Sequence, residues 1–226
     1  MAYGGLPISL YELRRRSPTR GLVQGCASLE DLYKFAYAGQ PSWSSNSPLY
    51  ERVYPRCQVN VKNQALFQVE RVSKKGLYWY SLLIPESEAS DSALLRAMRQ
   101  DLQRTFGFVA QIEKRRMPCY VLTLEKRAKS RLRTTHGDKT NDIIEPAEVK
   151  LTDIPMATFV ETIFYKHIMN QPPIIDHTGI DFNIDIHLRA NIYDLEDIKA
   201  ALEPLGFRLR QRTKRMDVIV ISDEPQ

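Results

Sequence analysis

Gly107-Phe108-Val109-Ala110-Gln111-Ile112-Glu113-Lys114-Arg115-Arg116-Met117-Pro118-Cys119-Tyr120-Val121-Leu122 decides the fold, because the chain nearly repeats it as Gly206-Phe207-Arg208-Leu209-Arg210-Gln211-Arg212-Thr213-Lys214-Arg215-Met216-Asp217-Val218-Ile219-Val220-Ile221. Aligned without a gap, Gly-Phe opens both stretches, Arg116-Met117 falls on Arg215-Met216, and Val121-Leu122 falls on Val220-Ile221. Identical spacing over this length reads as an internal duplication. After each glycine the pattern predicts a β-hairpin. Phe108 to Ile112 would turn through Lys114-Arg115-Arg116 into Cys119 to Leu124, and Phe207 to Gln211 would turn through Thr213-Lys214 into Val218 to Ile221.

Working outward, a helix precedes each glycine. Leu94, Leu95, Met98, Leu102 and Phe106 form one apolar stripe at three-and-four spacing; Leu195, Ile198, Leu202 and Leu205 form the other. Ser90 and Asp194 supply N-caps, and Gly107 and Gly206 sit where a helix needs a left-handed residue to stop. Each half also opens with a helix, Ser28 to Tyr37 and Pro155 to His167, the first with Ser28 and Asp31 at its start, the second with Thr152 or Asp153 ahead of it. Gln58 to Val61 and Phe182 to Leu188 alternate as half-buried strands do, and Gly76 to Ile84 adds another strand. The expected class is α+β: two tandem similar halves, each a small mixed sheet with helices packed on one side. The expected boundaries are an N-terminal extension over 1–27, a first half over 28–125, an exposed connector over 126–150 and a second half over 151–226, with a surface loop at Gln40 to Ser47.

The chain has 226 residues, 43% hydrophobic and 26% charged, which suits a soluble chain able to bury a core without metals or staples. A net charge of +5 permits an anionic partner without demanding one. The longest apolar runs fall far short of the roughly 20 residues that span a bilayer, so no membrane span is expected. No basic start followed by an apolar stretch marks a signal peptide. The three cysteines, Cys26, Cys57 and Cys119, contain no C-x-x-C, and read as small buried hydrophobes. A Cys26 to Cys57 disulfide is the alternative and would require an oxidising compartment.

Catalytic chemistry finds no constellation here. There is no G-x-S-x-G elbow, no phosphate-binding glycine loop and no cysteine with a histidine at a recognisable spacing, so neither catalytic residues nor a cofactor are expected. Asp181, Asp185 and His187 alternate along one strand face and are the candidate metal ligands, against the plainer reading of a solvated face. Arg208, Arg210 and Arg212 share a strand face, and Lys114 to Arg116 and Lys126 to Arg133 are basic, which keeps a polyanion reading open. The aromatic group Tyr78-Trp79-Tyr80, with Trp43 and the Tyr33/Tyr37 pair, supplies the residue types that dominate protein interfaces. Trp43, Tyr78, Trp79, Arg208, Arg210 and Arg212 are therefore the candidate contact residues.

The succession Leu29-Glu30-Asp31-Leu32-Tyr33-Lys34-Phe35-Ala36-Tyr37, then Leu102 to Leu124, Met156-Ala157-Thr158-Phe159, Pro173 to Ile180 and Ala201 to Ser222 resembles a bacterial domain family of unknown function. That family is typical of exported proteins of soil bacteria and also occurs fused to thioredoxin-like domains; this sequence differs from it at His177, where Lys is usual. The halves are also remotely similar to the short N-terminal domains of secretins and TonB-dependent receptors, an analogy of fold pattern. The resemblance implies a periplasmic or otherwise exported, non-enzymatic binding or scaffolding module of the cell envelope whose partner is another protein. The alternatives are an accessory domain of a thioredoxin-like redox protein, with catalysis in a domain outside this chain, and a polyanion or nucleic-acid binder.

Overall fold

The computed structural model describes residues 14–17, 22–39, 53–70, 73–88, 90–134, 142–168 and 172–223. In chain order its elements are β1 (Arg14–Ser17), β2 (Leu22–Ser28), α1 (Leu29–Ala38), β3 (Gln58–Asn60), β4 (Leu77–Leu83), α2 (Asp91–Phe106), β5 (Val109–Leu124), β6 (Ile143–Glu145), β7 (Glu148–Ile154), α3 (Met156–Ile168), β8 (Ile174–Asp176), β9 (Ile184–Leu188), α4 (Leu195–Leu202) and β10 (Phe207–Ser222). The class is α+β, and the order strand, strand, helix, strand, strand, helix, long strand occurs twice.

The two expected hairpins are each one unbroken strand of 16 residues. Nothing in Gln111 to Met117 or Arg210 to Met216 supplies a Gly, Asn or Asp to take the positive φ that a tight hairpin turn demands. The charged middle of each strand is polar for a different reason: its two ends enter two separate cores. Phe108 and Ala110, where β5 begins, lie in one core and Leu122, near its end, in the other; Phe207 of β10 joins the second core, Ile219 and Ile221 the first. β5 and β10 are neighbours in a four-stranded sheet of order β3-β10-β5-β8. Glu125 N–H donates to the Gly206 carbonyl at 3.0 Å, whereas Lys114 lies 3.8 Å from Asp217, so the two strands run antiparallel.

Because of these shared strands the chain does not divide at the expected boundaries. One compact unit takes the described residues up to Arg115 and again from Met216; the other takes Arg116–Arg215. Nor is 1–27 a mere extension, since β2 is the middle strand of a sheet and Ala27 is fully buried. The expected connector is likewise structured: Ala128 and Leu132 are buried, and β6 and the start of β7 lie within it.

In the first unit β1-β2-β4 form an antiparallel sheet, and the β2–β4 ladder runs without a bulge from Leu22 opposite Leu83 to Ser28 opposite Leu77. β3 lies parallel on the end of β10, with Val59 opposite Ile221. Ser28 caps α1 by accepting from Asp31 N–H at 3.1 Å, and Ser90 caps α2 by accepting from Ala93 N–H at 3.2 Å. The caps put Leu29, Leu32, Tyr33 and Ala36 of α1 against Leu94, Met98 and Leu102 of α2, all at most 1% exposed. Burial of each large side chain of this kind is worth about 1.5–3 kcal/mol.

The second unit has the sheet β6-β7-β9, with β8 parallel on β5, Val121 opposite Ile175. Phe159, Ile163 and Phe164 of α3, Ile198 and Leu202 of α4, and Phe207 form its core, the Phe159 and Phe207 rings tilted 5.7 Å apart. Asp194 caps α4, accepting from Glu196 N–H at 2.9 Å. Ahead of α3 the Asp153 carboxylate accepts from the Asn183 side chain at 3.0 Å.

Gly107 and Gly206 both take the left-handed conformation, at φ 75° and 88°, as the helix-stop reading expects. A Cβ on Gly107 would meet nothing within 4 Å, whereas one on Gly206 would stand 2.5 Å from the Ala128 Cβ. Gly107→Ala should therefore cost about 1 kcal/mol, the left-handed penalty alone. Gly206→Ala adds an overpacking cost of about 1–3 kcal/mol; equal losses in a urea titration would contradict this account.

Candidate functional site

β4 is Leu77-Tyr78-Trp79-Tyr80-Ser81-Leu82-Leu83, seven residues without a charge. Strand alternation sends Tyr78, Tyr80 and Leu82 inward and Trp79, Ser81 and Leu83 outward. Tyr80 is 8% exposed and belongs to the core, where burial pushes its hydroxyl pKa up. The Tyr78 ring stands edge-on to Phe106 at 5.2 Å and its hydroxyl donates to the Leu66 carbonyl at 3.2 Å. Tyr78 therefore holds the fold together and leaves the candidate contact set. On the other face Trp79 is 67% exposed and Leu83 68%. Cys26 of β2 lies opposite Trp79. β4 ends its sheet, with β2 on one side, and among the described residues no backbone partner occupies its other edge.

The remaining candidates are dispersed. Trp43 lies outside the described residues. Tyr33 is 1% exposed, with its hydroxyl 3.4 Å from the Leu102 and Phe108 carbonyls, and the Arg99 guanidinium covers the Tyr37 ring at 4.9 Å, so neither tyrosine forms a recognition surface of its own. Arg208 is tied down, bonded to the Glu203 carbonyl and, at 3.0 Å, to the Glu125 carboxylate. Arg210 and Arg212 are exposed, and Lys214 on the same face lies 2.7 Å from His177.

Asp181, Asp185 and His187 are not gathered around a common point. Asp181 is exposed and 3.8 Å from Lys129, Asp185 accepts from Asp153 N–H at 2.9 Å, and His187 Nε2 sits 2.6 Å from Glu148. The His187 contact holds the Glu148 carboxyl below the usual carboxylate range. Among the described residues no group of three or more His, Cys, Asp and Glu side chains is placed to hold a metal. His187 and Arg189 line a wide-mouthed depression of about 500 Å³ with Leu188, Ala201, Pro204 and Leu205.

All three cysteines are free, so Cys26 and Cys57 are not joined. Cys119 is fully buried, as its apolar strand suggests. Cys57 belongs to a charged cluster on α1. Its N–H donates to the Glu30 carboxylate at 2.9 Å, Ser28 donates to Asp31 at 2.5 Å, Lys34 donates to the Pro55 carbonyl at 3.0 Å, and Arg56 lies 3.8 Å from Glu30. Burial raises the Glu30 and Asp31 carboxyls, lowers the Lys34 ammonium and pushes the Cys57 thiol well up, which makes that thiol a poor nucleophile.

The family model described as Protein of unknown function (DUF3738) matches residues 81–223, more than half of the chain. The chain belongs to this family. No curated protein and no solved structure matches it. The family match begins at Ser81, inside β4, so the exposed Trp79 lies just ahead of it and Leu83 within it. Sequence reading singled out Trp79 and missed Leu83; the signal was the period of two, which puts residues 79, 81 and 83 on one face.

Glu30 gives the cluster a pH signature. Its folded pKa is raised, so in the window above the ordinary value of about 4.5 the folded state binds more protons than the unfolded chain, and stability falls as pH rises through that window. Glu30→Gln keeps an acceptor for Cys57 N–H and should flatten this part of the profile, measured by urea unfolding from pH 4 to 8. An unchanged slope would show that Glu30 does not set it.

Proposed function

We propose that this chain is a non-enzymatic binding module of the bacterial cell envelope that takes a protein partner on the outer face and open edge of β4. One observation carries the reading: Trp79 and Leu83 stand on the same face of an uncharged edge strand, two-thirds exposed. A strand end of a sheet presents unpaired N–H and C=O groups to another chain, and a tryptophan beside a leucine adds the apolar anchor on which interfaces depend. Export to the periplasm and attachment to the envelope follow from the family resemblance. The recurrence of the same element order supports descent of the two halves from one duplicated unit. Among the described residues no helix is long and apolar enough to cross a membrane.

The exposed Arg210 and Arg212 favour a second reading, a polyanion partner, which would show as retention on an anionic matrix that falls steeply with salt.

The deciding experiment uses the purified protein as bait in an envelope fraction at low and at moderate salt. One protein recovered at both salts is the expected result. Trp79→Ala should lose it while the melting temperature stays within a degree or two, since a side chain 67% exposed contributes little to the core. Recovery of nucleic acid alone, or of nothing, overturns the reading; a large fall in melting temperature would make Trp79 structural.

A further inference from the structure

Natural sheets guard an edge strand with a charge, a proline or a bulge. β4 has none of these: its seven residues are uncharged, contain no proline, and keep regular register with β2 throughout. The charges lie just beyond its ends and differ in sign. Lys74 and Lys75 precede it, Glu86 and Glu88 follow it, and all four are exposed. Among the described residues none of the four has an ion-pair partner. A strand that is basic at its start, neutral along its length and acidic beyond its end complements itself when turned around.

We propose that β4 pairs antiparallel with β4 of a second copy of this chain, about a two-fold axis perpendicular to the sheet that passes between the two Ser81 residues. In that register Trp79 of each copy lies opposite Leu83 of the other, so the two exposed apolar side chains cover one another in symmetric pairs. The turn carrying Lys74 and Lys75 ahead of β4 in each copy then lies at the end where the short 3-10 helix carrying Glu86 and Glu88 follows β4 of the other. A parallel arrangement would instead set lysine against lysine and glutamate against glutamate. A two-fold closes the contact at two copies, and the two three-stranded sheets of order β1-β2-β4 become one of six strands with no open β4 edge. The buried surface is that of one strand and two apolar side chains per copy, which suits a reversible dimer with a dissociation constant on the order of micromolar. This inference rests on the β4 reading above and names the partner for that surface.

Charge reversal tests it without touching the strand. Sedimentation equilibrium over a concentration series compares the unaltered protein with Lys74→Glu/Lys75→Glu, with Glu86→Lys/Glu88→Lys, with an equimolar mixture of the two, and with all four changes in one chain. The unaltered protein should associate to a dimer. Each paired reversal sets like charges together at both ends of the contact and should weaken it by roughly tenfold or more. The mixture and the fourfold variant restore opposite charges and should recover the dimer, which a change of fold or of general solubility would not produce. A protein that stays monomeric, a dimer indifferent to both reversals, or a mixture that fails to recover would each overturn the inference. If the protein is monomeric yet a Trp79-dependent partner is still recovered from the envelope, the second copy is excluded and the protein-binding reading stands; loss of both removes both.

Discussion

The antiparallel pairing of β5 with β10 is the contact on which everything else depends. Each strand carries an apolar segment at both ends and a charged segment between them, and each end completes a different core. The first core does not close on one contiguous stretch of chain, whereas the second lies within 116–215. The first needs Ile219 and Ile221 from the last strand as well as Phe108 and Ala110, and the second joins Leu122 to Phe207. Register along the pair is correspondingly constrained: a slip by one residue would turn both apolar ends of a strand out of their cores together. The left-handed glycines at 107 and 206 fix where each strand leaves its helix, and so fix that register from the start of the strand.

The unit that contains β4 gains its stability from α1, α2 and the long strands, and this leaves the outward side of β4 to Trp79, Ser81 and Leu83. Tyr78 and Tyr80 turn their rings inward, one edge-on to Phe106 and the other in the core, while Trp79 and Leu83 face solvent. Exposed leucine and tryptophan on a regular, uncharged edge carry an aggregation hazard unless something covers them. Some titratable side chains elsewhere serve the fold: Glu30 and Lys34 hold the segment around Cys57 onto α1, and Asp153 near the end of β7 is tied to Asn183 and to Asp185 of β9.

Much of this was legible in the sequence, and the failures have physical causes. The helices could be read because caps, stripe and stop signal agree at both ends of α2 and α4, and Ser28, Ser90 and Asp194 cap as their positions imply. The long strands could not, because a run of Lys and Arg looks the same whether it forms a turn or the middle of a strand wet on both faces; the absence of a residue suited to positive φ was the discriminating signal. Outward Trp79 and inward Tyr78 follow from alternation alone, whereas the burial of Tyr33 depends on the helix face, which the heavy composition of aromatics in that segment obscured. The alternating acids and histidine around residue 185 shared a sequence pattern but answer to separate partners, and only packing could tell them apart.

The placement of Ile219 and Ile221 bears on synthesis. A ribosome delivers α1, β4 and α2 long before it delivers β10, so the core built on those elements waits, with a gap where two isoleucines belong, until β10 follows. Contacts between residues so far apart in sequence are slow to form, and the nascent chain carries its uncharged edge strand through that interval unfinished. The first core is therefore a late product of folding, closed only when β10 is in place.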